Sequence, residues 1–418
     1  MKSKSNLDDK NYDFNLIILL SDRISIERIN WLENLLISLK TTRCNVKPKL
    51  FLTGSALYIF FNSKYFNRLN KIYNLYSKNF ENNTLFEIDN SEARIIGLNK
   101  IKKINSEFDD HCLFWNNLIE YLKKIYNGQR ILKNIGFLQL ESPYFNRSSV
   151  FCVRFLQSAI NNCVIPELYL YLDGVHIGLK NQNPSEFENI YLKIEKIYNK
   201  IKSLILKDNE EISEYLKFMA CARCAKARGY IYKEYFDEIE NKIKYISNIM
   251  INEIEIVNLN EIIQRFKQNI PIFSANSFNL INKNISLLNN SQNIEITIFI
   301  TKEPYYLEYS FGGLSLAIAT SNNFIKTNII FIEDGVYNLI QNQIIHNNDK
   351  IFNIEELINS TRNEEYLKYF VFKPSLRNRN INFSKIENFK FIKLIDSNEL
   401  IQILNLKDNI YLHRIFIF

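Results

Sequence analysis

Cys221 and Cys224 stand in the run Cys221-Ala-Arg-Cys-Ala-Lys-Ala-Arg-Gly229, directly after the apolar residues Phe218-Met-Ala. This pattern describes a short strand that stops at a thiol and a small-residue, basic helix that begins there. A thiol at a helix N-terminus lies at the positive end of the helix dipole. Arg223, Lys226 and Arg228 add positive charge beside it. Both effects favour the thiolate, the nucleophilic form, so Cys221 is the expected reactive residue. Cys224, one helical turn on, either resolves an adduct on Cys221 by forming a disulfide or simply packs the helix. A Cys-x-x-Cys pair is also half of a zinc site. No second pair or histidine cluster completes one, and neither metal nor cofactor is expected.

Open parallel sheets bind ligands beyond the carboxyl ends of their strands. Three loops around this thiol leave such ends: 142–147, 173–178 and the turn at Cys221. They bring Tyr144, Asp173 and His176 toward the sulfur. The plainer readings are a strand-end turn for Asp173 and a surface histidine for His176.

The elements that position these residues recur along the chain. Apolar strands are expected at 16–20, 135–140 and 294–300, and helix-period segments follow at 26–40, 148–160 and 310–319. A second strand then ends in Phe51-Leu-Thr-Gly-Ser-Ala-Leu57, Leu170-Tyr-Leu-Asp-Gly-Val-His176 and Phe331-Ile-Glu-Asp-Gly-Val-Tyr337. Strands alternating with helices indicate an α/β fold with parallel sheets. The thiol position recurs without its thiol. Cys221 precedes Gly229 by eight residues, as Asp89 precedes Gly97 and Phe372 precedes Asn380. The second and third copies close with a further strand, at 270–273 and 410–418, and 111–126 has the pattern of an amphipathic helix. A repeat of this length is a domain and not a solenoid unit. The boundaries fall near 130 and 287, dividing the chain into 1–130, 131–287 and 288–418.

The net charge of +7 is spread along 418 residues, and direct nucleic-acid binding, which needs a concentrated basic patch, is not expected. The N-terminus, 1–13, is polar and lacks the apolar core of a signal peptide. No run reaches the roughly 18 apolar residues needed to span a bilayer. A soluble cytoplasmic protein is expected. Cys152 and Cys163, at an apolar helix, read as core, while Cys44 and Cys112 carry no motif.

The second copy resembles the DsrE/DsrF-like sulfur-relay family, which includes the TusD and TusC proteins. The resemblance rests on Tyr171-Leu-Asp-Gly-Val-His-Ile-Gly178 and on the cysteine-helix-Arg-Gly run 221–229. The third copy is similar to the DsrF/TusC type through Lys302-Glu-Pro-Tyr305, Glu333-Asp-Gly-Val336 and Ser375-Leu-Arg-Asn-Arg379. The first resembles the family mainly in its order of elements. The resemblance implies three tandem DsrE-like domains, each a mostly parallel sheet flanked by helices. It also implies a sulfurtransferase that carries sulfane sulfur as a persulfide on Cys221. A partner protein in tRNA thiolation or sulfur oxidation would take the sulfur. The family's separate subunits form a hexamer, so a dimer of this chain would mimic six domains. Asp89 and Phe372 leave the outer copies without a carrier thiol, and no DsrH-type domain with its own cysteine is evident. The rival readings are a thiol-disulfide oxidoreductase using Cys221 and Cys224, and a non-catalytic scaffold.

Overall fold

Runs of β-branched and aromatic residues bounded by polar turns form strands buried on both faces, as parallel sheets require. The computed structural model describes residues 13–41, 45–76, 85–98, 112–126, 132–205, 216–282, 294–346, 348–349, 351–382, 389–404 and 412–418. The first segment supplies β1 (Asp13–Leu20), β2 (Asn45–Leu52) and β3 (Phe86–Ile88). The second supplies β4 (Asn134–Gln139), β5 (Ile165–Leu170) and β6 (Phe218–Cys221). It continues with a hairpin, β7 (Lys233–Asp237) and β8 (Lys242–Ile246), then β9 (Glu255–Val257) and β10 (Ile272–Phe273). After β11 (Ser277–Asn282), the third segment gives β12 (Ile294–Ile300), β13 (Lys326–Phe331), β14 (Leu367–Phe372), β15 (Lys393–Ile395) and β16 (Leu412–Ile417).

The second segment is a five-stranded parallel sheet of order β10-β4-β5-β6-β9. The third repeats that order as β16-β12-β13-β14-β15, again parallel throughout. The first segment contributes β1-β2-β3, and β11 fills the position beside β1. β11 runs antiparallel to both β1 and β16, so the first and third segments share one nine-stranded sheet. Ser277–Asn282 precedes the boundary expected near 287, yet it pairs with strands on either side of its own segment and not with β10. All six of its residues are buried, and with β1 on one edge and β16 on the other its backbone N–H and C=O groups find partners on both sides.

The helices expected after each first strand run Ile26–Thr41, Ser148–Asn161 and Tyr309–Asn322. The helix Leu113–Tyr126 packs on the second segment, where Trp115 meets Phe151 and Phe155 at ring-centroid distances of 5.9 and 6.2 Å; His111 lies outside the described residues. Trp31 covers the shared sheet, its ring edge-on to Phe299 at 5.3 Å. Arg414 of β16 is fully buried and donates to the carbonyls of Phe266, Gln268 and Ile270. It thereby caps the end of the second segment's helix Leu259–Phe266 and pins the two sheets together. One expectation is corrected. Cys152 is core, but Cys163 is exposed, because it sits past the helix end with a left-handed backbone (φ 59°) that turns its side chain outward.

Candidate functional site

β6 ends on Cys221, which serves as the N-cap of the short helix Ala222–Ala227. Small residues on that helix let it sit tightly behind the sheet, and Cys221 is 0% exposed. The Cys224 thiol is the largest influence on it: by donating to the Cys221 sulfur it favours the thiolate, against the opposing effect of burial. The backbone N–H groups of Cys224 and Arg223 and the Arg223 charge act in the same direction, though no cap hydrogen bond closes onto the sulfur. Together they bring the Cys221 thiol down to about 7. Cys224 moves the opposite way, well above the usual thiol range, because it gives its proton to the Cys221 sulfur and is itself buried. Its own sulfur accepts from the Leu172 N–H at 3.2 Å. The result is a polarised chain: Leu172 N–H to Cys224, and Cys224 S–H to Cys221. Both cysteines are free thiols.

The other expected residues are distributed around this pair. Arg228 donates to Asp173 Oδ1, to the Cys224 carbonyl at 3.1 Å and to Glu308 of the third segment at 3.0 Å. It thus spans two segments and holds the loop 173–178 against the thiol helix. His176 faces Asp173 through Nε2 at 3.4 Å and meets the Tyr230 hydroxyl through Nδ1. Burial, with the Arg228 charge, lowers its pKa below the ordinary histidine value, which keeps the ring neutral. Arg223 lies over the rings of Phe311 and Phe352 at 4.6 and 5.3 Å, two rings stacked 4.6 Å apart. Lys226 points outward and pairs with Glu234 of the hairpin at 2.9 Å. Tyr144 gives its hydroxyl to Gln182 at 2.8 Å and accepts from Ile190 N–H at 3.4 Å, so its partners are not the thiols.

Residues outside the sequence motif complete the site. The buried Tyr171 donates to the Gly312 carbonyl at 3.0 Å. Burial and the two neighbouring thiols hold it as the phenol. Gly312 permits this contact, since a Cβ there would stand 2.6 Å from Leu172 Cδ1. Glu308, Phe311, Gly312 and Phe352 all come from the third segment. No local pattern marks them, because they act on a thiol far away in the chain.

The same architecture is built three times. Gly54, Leu172 and Glu333 follow the second strand of each copy with φ of 52°, 51° and 54°. Asp89, Cys221 and Phe372 cap the three short helices. In the third copy Ser375 stands where Cys224 does and accepts from the Glu333 N–H at 2.9 Å, as Cys224 accepts from Leu172. Arg379 repeats Arg228 by bonding Asp334 at 2.8 Å. Each junction is covered by the next copy. Glu308 and Phe311 cover the second. Arg28 makes a bidentate pair with Glu333 at 3.0 Å, and Glu27 takes Arg379 at 2.8 Å, covering the third. Arg147 and Arg154 reach Glu92 at 2.6 and 2.9 Å, covering the first. The contacts are head-to-tail and closed, the pattern of a cyclic trimer made within one chain.

A cavity of about 120 Å³ lies where the three meet. Asp22, Glu141 and Lys302 line it, each two residues past the end of its segment's first strand. Burial, and then the Asp22 charge, pushes the Glu141 carboxyl up to about 7.

A repeated α/β unit with five parallel strands and a buried thiol pair at a strand-to-helix junction defines the class of this protein. The sequence model of the DsrE/DsrF-like family matches residues 133–270 and 295–410, more than half of the chain, and the chain belongs to that family. The first segment lies outside both matches. An uncharacterized protein of Methanopyrus kandleri is 27% identical over 100 residues, 24% of this chain and 71% of the relative. An uncharacterized protein of Methanocaldococcus jannaschii is 32% identical over 89 residues, 21% of this chain and 66% of the relative. Among solved structures, the YchN protein from E. coli aligns over 30% of this chain and 98% of its own at 19% identity, with a TM-score of 0.25. Among the described residues no helix is long and apolar enough to cross a membrane, and no cluster of three or more His, Cys, Asp or Glu could hold a metal ion.

Proposed function

We propose that the chain carries sulfane sulfur as a persulfide on Cys221 and hands it to an acceptor protein. The observation that carries this reading is the Cys221 thiol, lowered to about 7 by the Cys224 donor and Arg223 at the end of a parallel strand, in a chain of this family. The Cys221 thiolate attacks the outer sulfur of a donor persulfide. A new S–S bond forms on Cys221, the donor's S–S bond breaks, and the donor's inner sulfur leaves as a thiolate. The outer sulfur keeps its proton until the persulfide ionises. An acceptor thiolate then attacks the same outer sulfur and restores the Cys221 thiolate, so no external oxidant or reductant is consumed. Since Cys221 is covered, transfer requires a local opening where the second and third segments meet. The pathway is tRNA thiolation or sulfur oxidation, and the cell compartment is the cytoplasm.

Asp89 and Phe372 make the outer segments silent in this scheme. Their part is to hold the ring and cover the thiol, with units at 1–130, 131–287 and 288–418 and β11 serving as the seam. Incubation of the full chain with glutathione persulfide, followed by intact-mass and peptide analysis, should add one sulfur to the Cys221 peptide and none to Cys221→Ser. Equal labelling at Cys112 or Cys163 would overturn the assignment. Loss of two hydrogens instead, with a Cys221–Cys224 disulfide, would favour the oxidoreductase reading.

A further inference from the structure

Two opposite charges share the cavity where the three segments meet, yet they do not pair with each other. Asp22 and Lys302 both line it, and among the described residues neither forms an ion pair. The neutral polar groups around them are already engaged. Asn276 Oδ1 accepts from the Ser21 and Asp22 N–H groups at 3.0 and 3.1 Å. Ser274 donates to the Asn276 carbonyl at 2.8 Å, and Thr301 donates to the Phe418 carbonyl at 2.7 Å. The Tyr309 hydroxyl is turned to Glu141, and burial keeps that carboxyl protonated up to about 7. The Asp22 charge acts on Glu141 in the same direction, so the two acidic groups lie near each other. Lys302 stands apart from both, its Nζ 5.9 Å from the centre of the Tyr306 ring. Leu138, Leu140 and Ile417 add apolar wall.

We infer that this cavity binds a small α-amino acid as its zwitterion, with the ammonium toward Asp22 and Glu141 and the carboxylate toward Lys302. Charge decides the class of ligand. With Glu141 neutral, the wall carries one negative and one positive group. A simple cation would answer Asp22 but face the Lys302 charge, and a simple anion would do the reverse. Charges taken out of water need partners, and a zwitterion supplies both at once. Volume decides the size. A cavity of about 150 Å³ holds benzene. The cavity here, of about 120 Å³, takes roughly five to seven non-hydrogen atoms on that scale, which is the range of glycine and alanine. Asp22, Glu141 and Lys302 come from three different segments, so the closed ring holds the ligand and no single segment does. Neither Cys221 nor Cys224 lines the cavity, and the inference does not depend on the sulfur chemistry.

Isothermal titration of the full chain near pH 6 should show glycine and L-alanine binding, one per chain. Methylamine and acetate each carry half of the zwitterion and should bind roughly tenfold more weakly or worse. L-leucine, too large for the cavity, should not bind. Asp22→Asn and Lys302→Met should each weaken L-alanine by roughly tenfold or more. Asp22→Asn should leave acetate binding as it is, which a general loss of structure would not. Absence of binding by both amino acids at millimolar concentration overturns the inference. So does acetate or methylamine binding as tightly as L-alanine, or L-alanine binding undiminished in both variants. If either variant fails to fold, judged by its urea midpoint, the comparison of probes on the wild type still decides. Both folded variants should take up one sulfur on Cys221, so failure of the amino-acid site and failure of the sulfur reading are told apart.

Discussion

At the scale of single residues, Cys224 has a role that its motif leaves open. It accepts from Leu172 N–H and donates to Cys221, and Ser375 fills the accepting half of that role in the third segment. A hydroxyl thus fills the accepting side at the equivalent position of the third segment. Cys224→Ser should keep the Cys221 alkylation midpoint near 7, since a hydroxyl can still donate to the thiolate. Cys224→Ala should raise the midpoint on the order of one pH unit, the equivalent of one hydrogen bond to a charged group. Alkylation rate against pH measures both. A midpoint unchanged in Cys224→Ala would remove the donor role. Of the basic side chains around the thiol, Arg223 bears on it directly, while Arg228 and Lys226 are engaged by Asp173, Glu308 and Glu234.

At the scale of elements, the Asp-Gly-Val loops set the geometry of the junctions. A Cβ at Gly174 would stand 2.1 Å from the Gln139 carbonyl oxygen, and at Gly335 it would stand 1.8 Å from that of Ile300. These are backbone atoms of the central first strands and have nowhere to move. Gly174→Ala should cost on the order of 3 kcal/mol, read as a lower urea midpoint. It should also disturb the Leu172–Cys224 bond and so slow alkylation at Cys221. A midpoint within error of the wild type would mean the loop yields freely. The loop glycines were legible in the sequence as strand-end turns. The positive φ of Leu172 and Glu333 was not, because a bulky residue in that region is held there only by surrounding structure.

At the scale of the whole molecule, the three segments close a ring around Asp22, Glu141 and Lys302. Glu141 titrates near 7 in the folded protein and near the ordinary 4.5 when unfolded. The folded state thus holds a proton that the unfolded chain has already released. Its contribution to stability is fully present below about 4.5, declines as pH rises, and is gone above about 7. The wild type should lose on the order of 2–3 kcal/mol across that window relative to Glu141→Gln, whose side chain stays neutral. Urea unfolding of both proteins from pH 4.5 to 8 tests this. A difference that does not vary with pH would sink it.

The alternating strands and helices, the three-fold recurrence and the thiol at a strand-to-helix junction are legible in the amino-acid order alone. These are local properties, written in apolar periodicity and in the eight-residue spacings that end at Gly97, Gly229 and Asn380. Tertiary structure alone decided which segment covers which. Glu308, Phe311 and Phe352 meet the thiol helix through contacts between residues distant in the chain, and no local pattern encodes such a contact. The same holds for β11, where Ser277, Asn279 and Asn282 interrupt any apolar run that would mark a strand. Its edges are matched only when β1 and β16 are already in place, so the seam of the shared sheet is a property of the assembled chain.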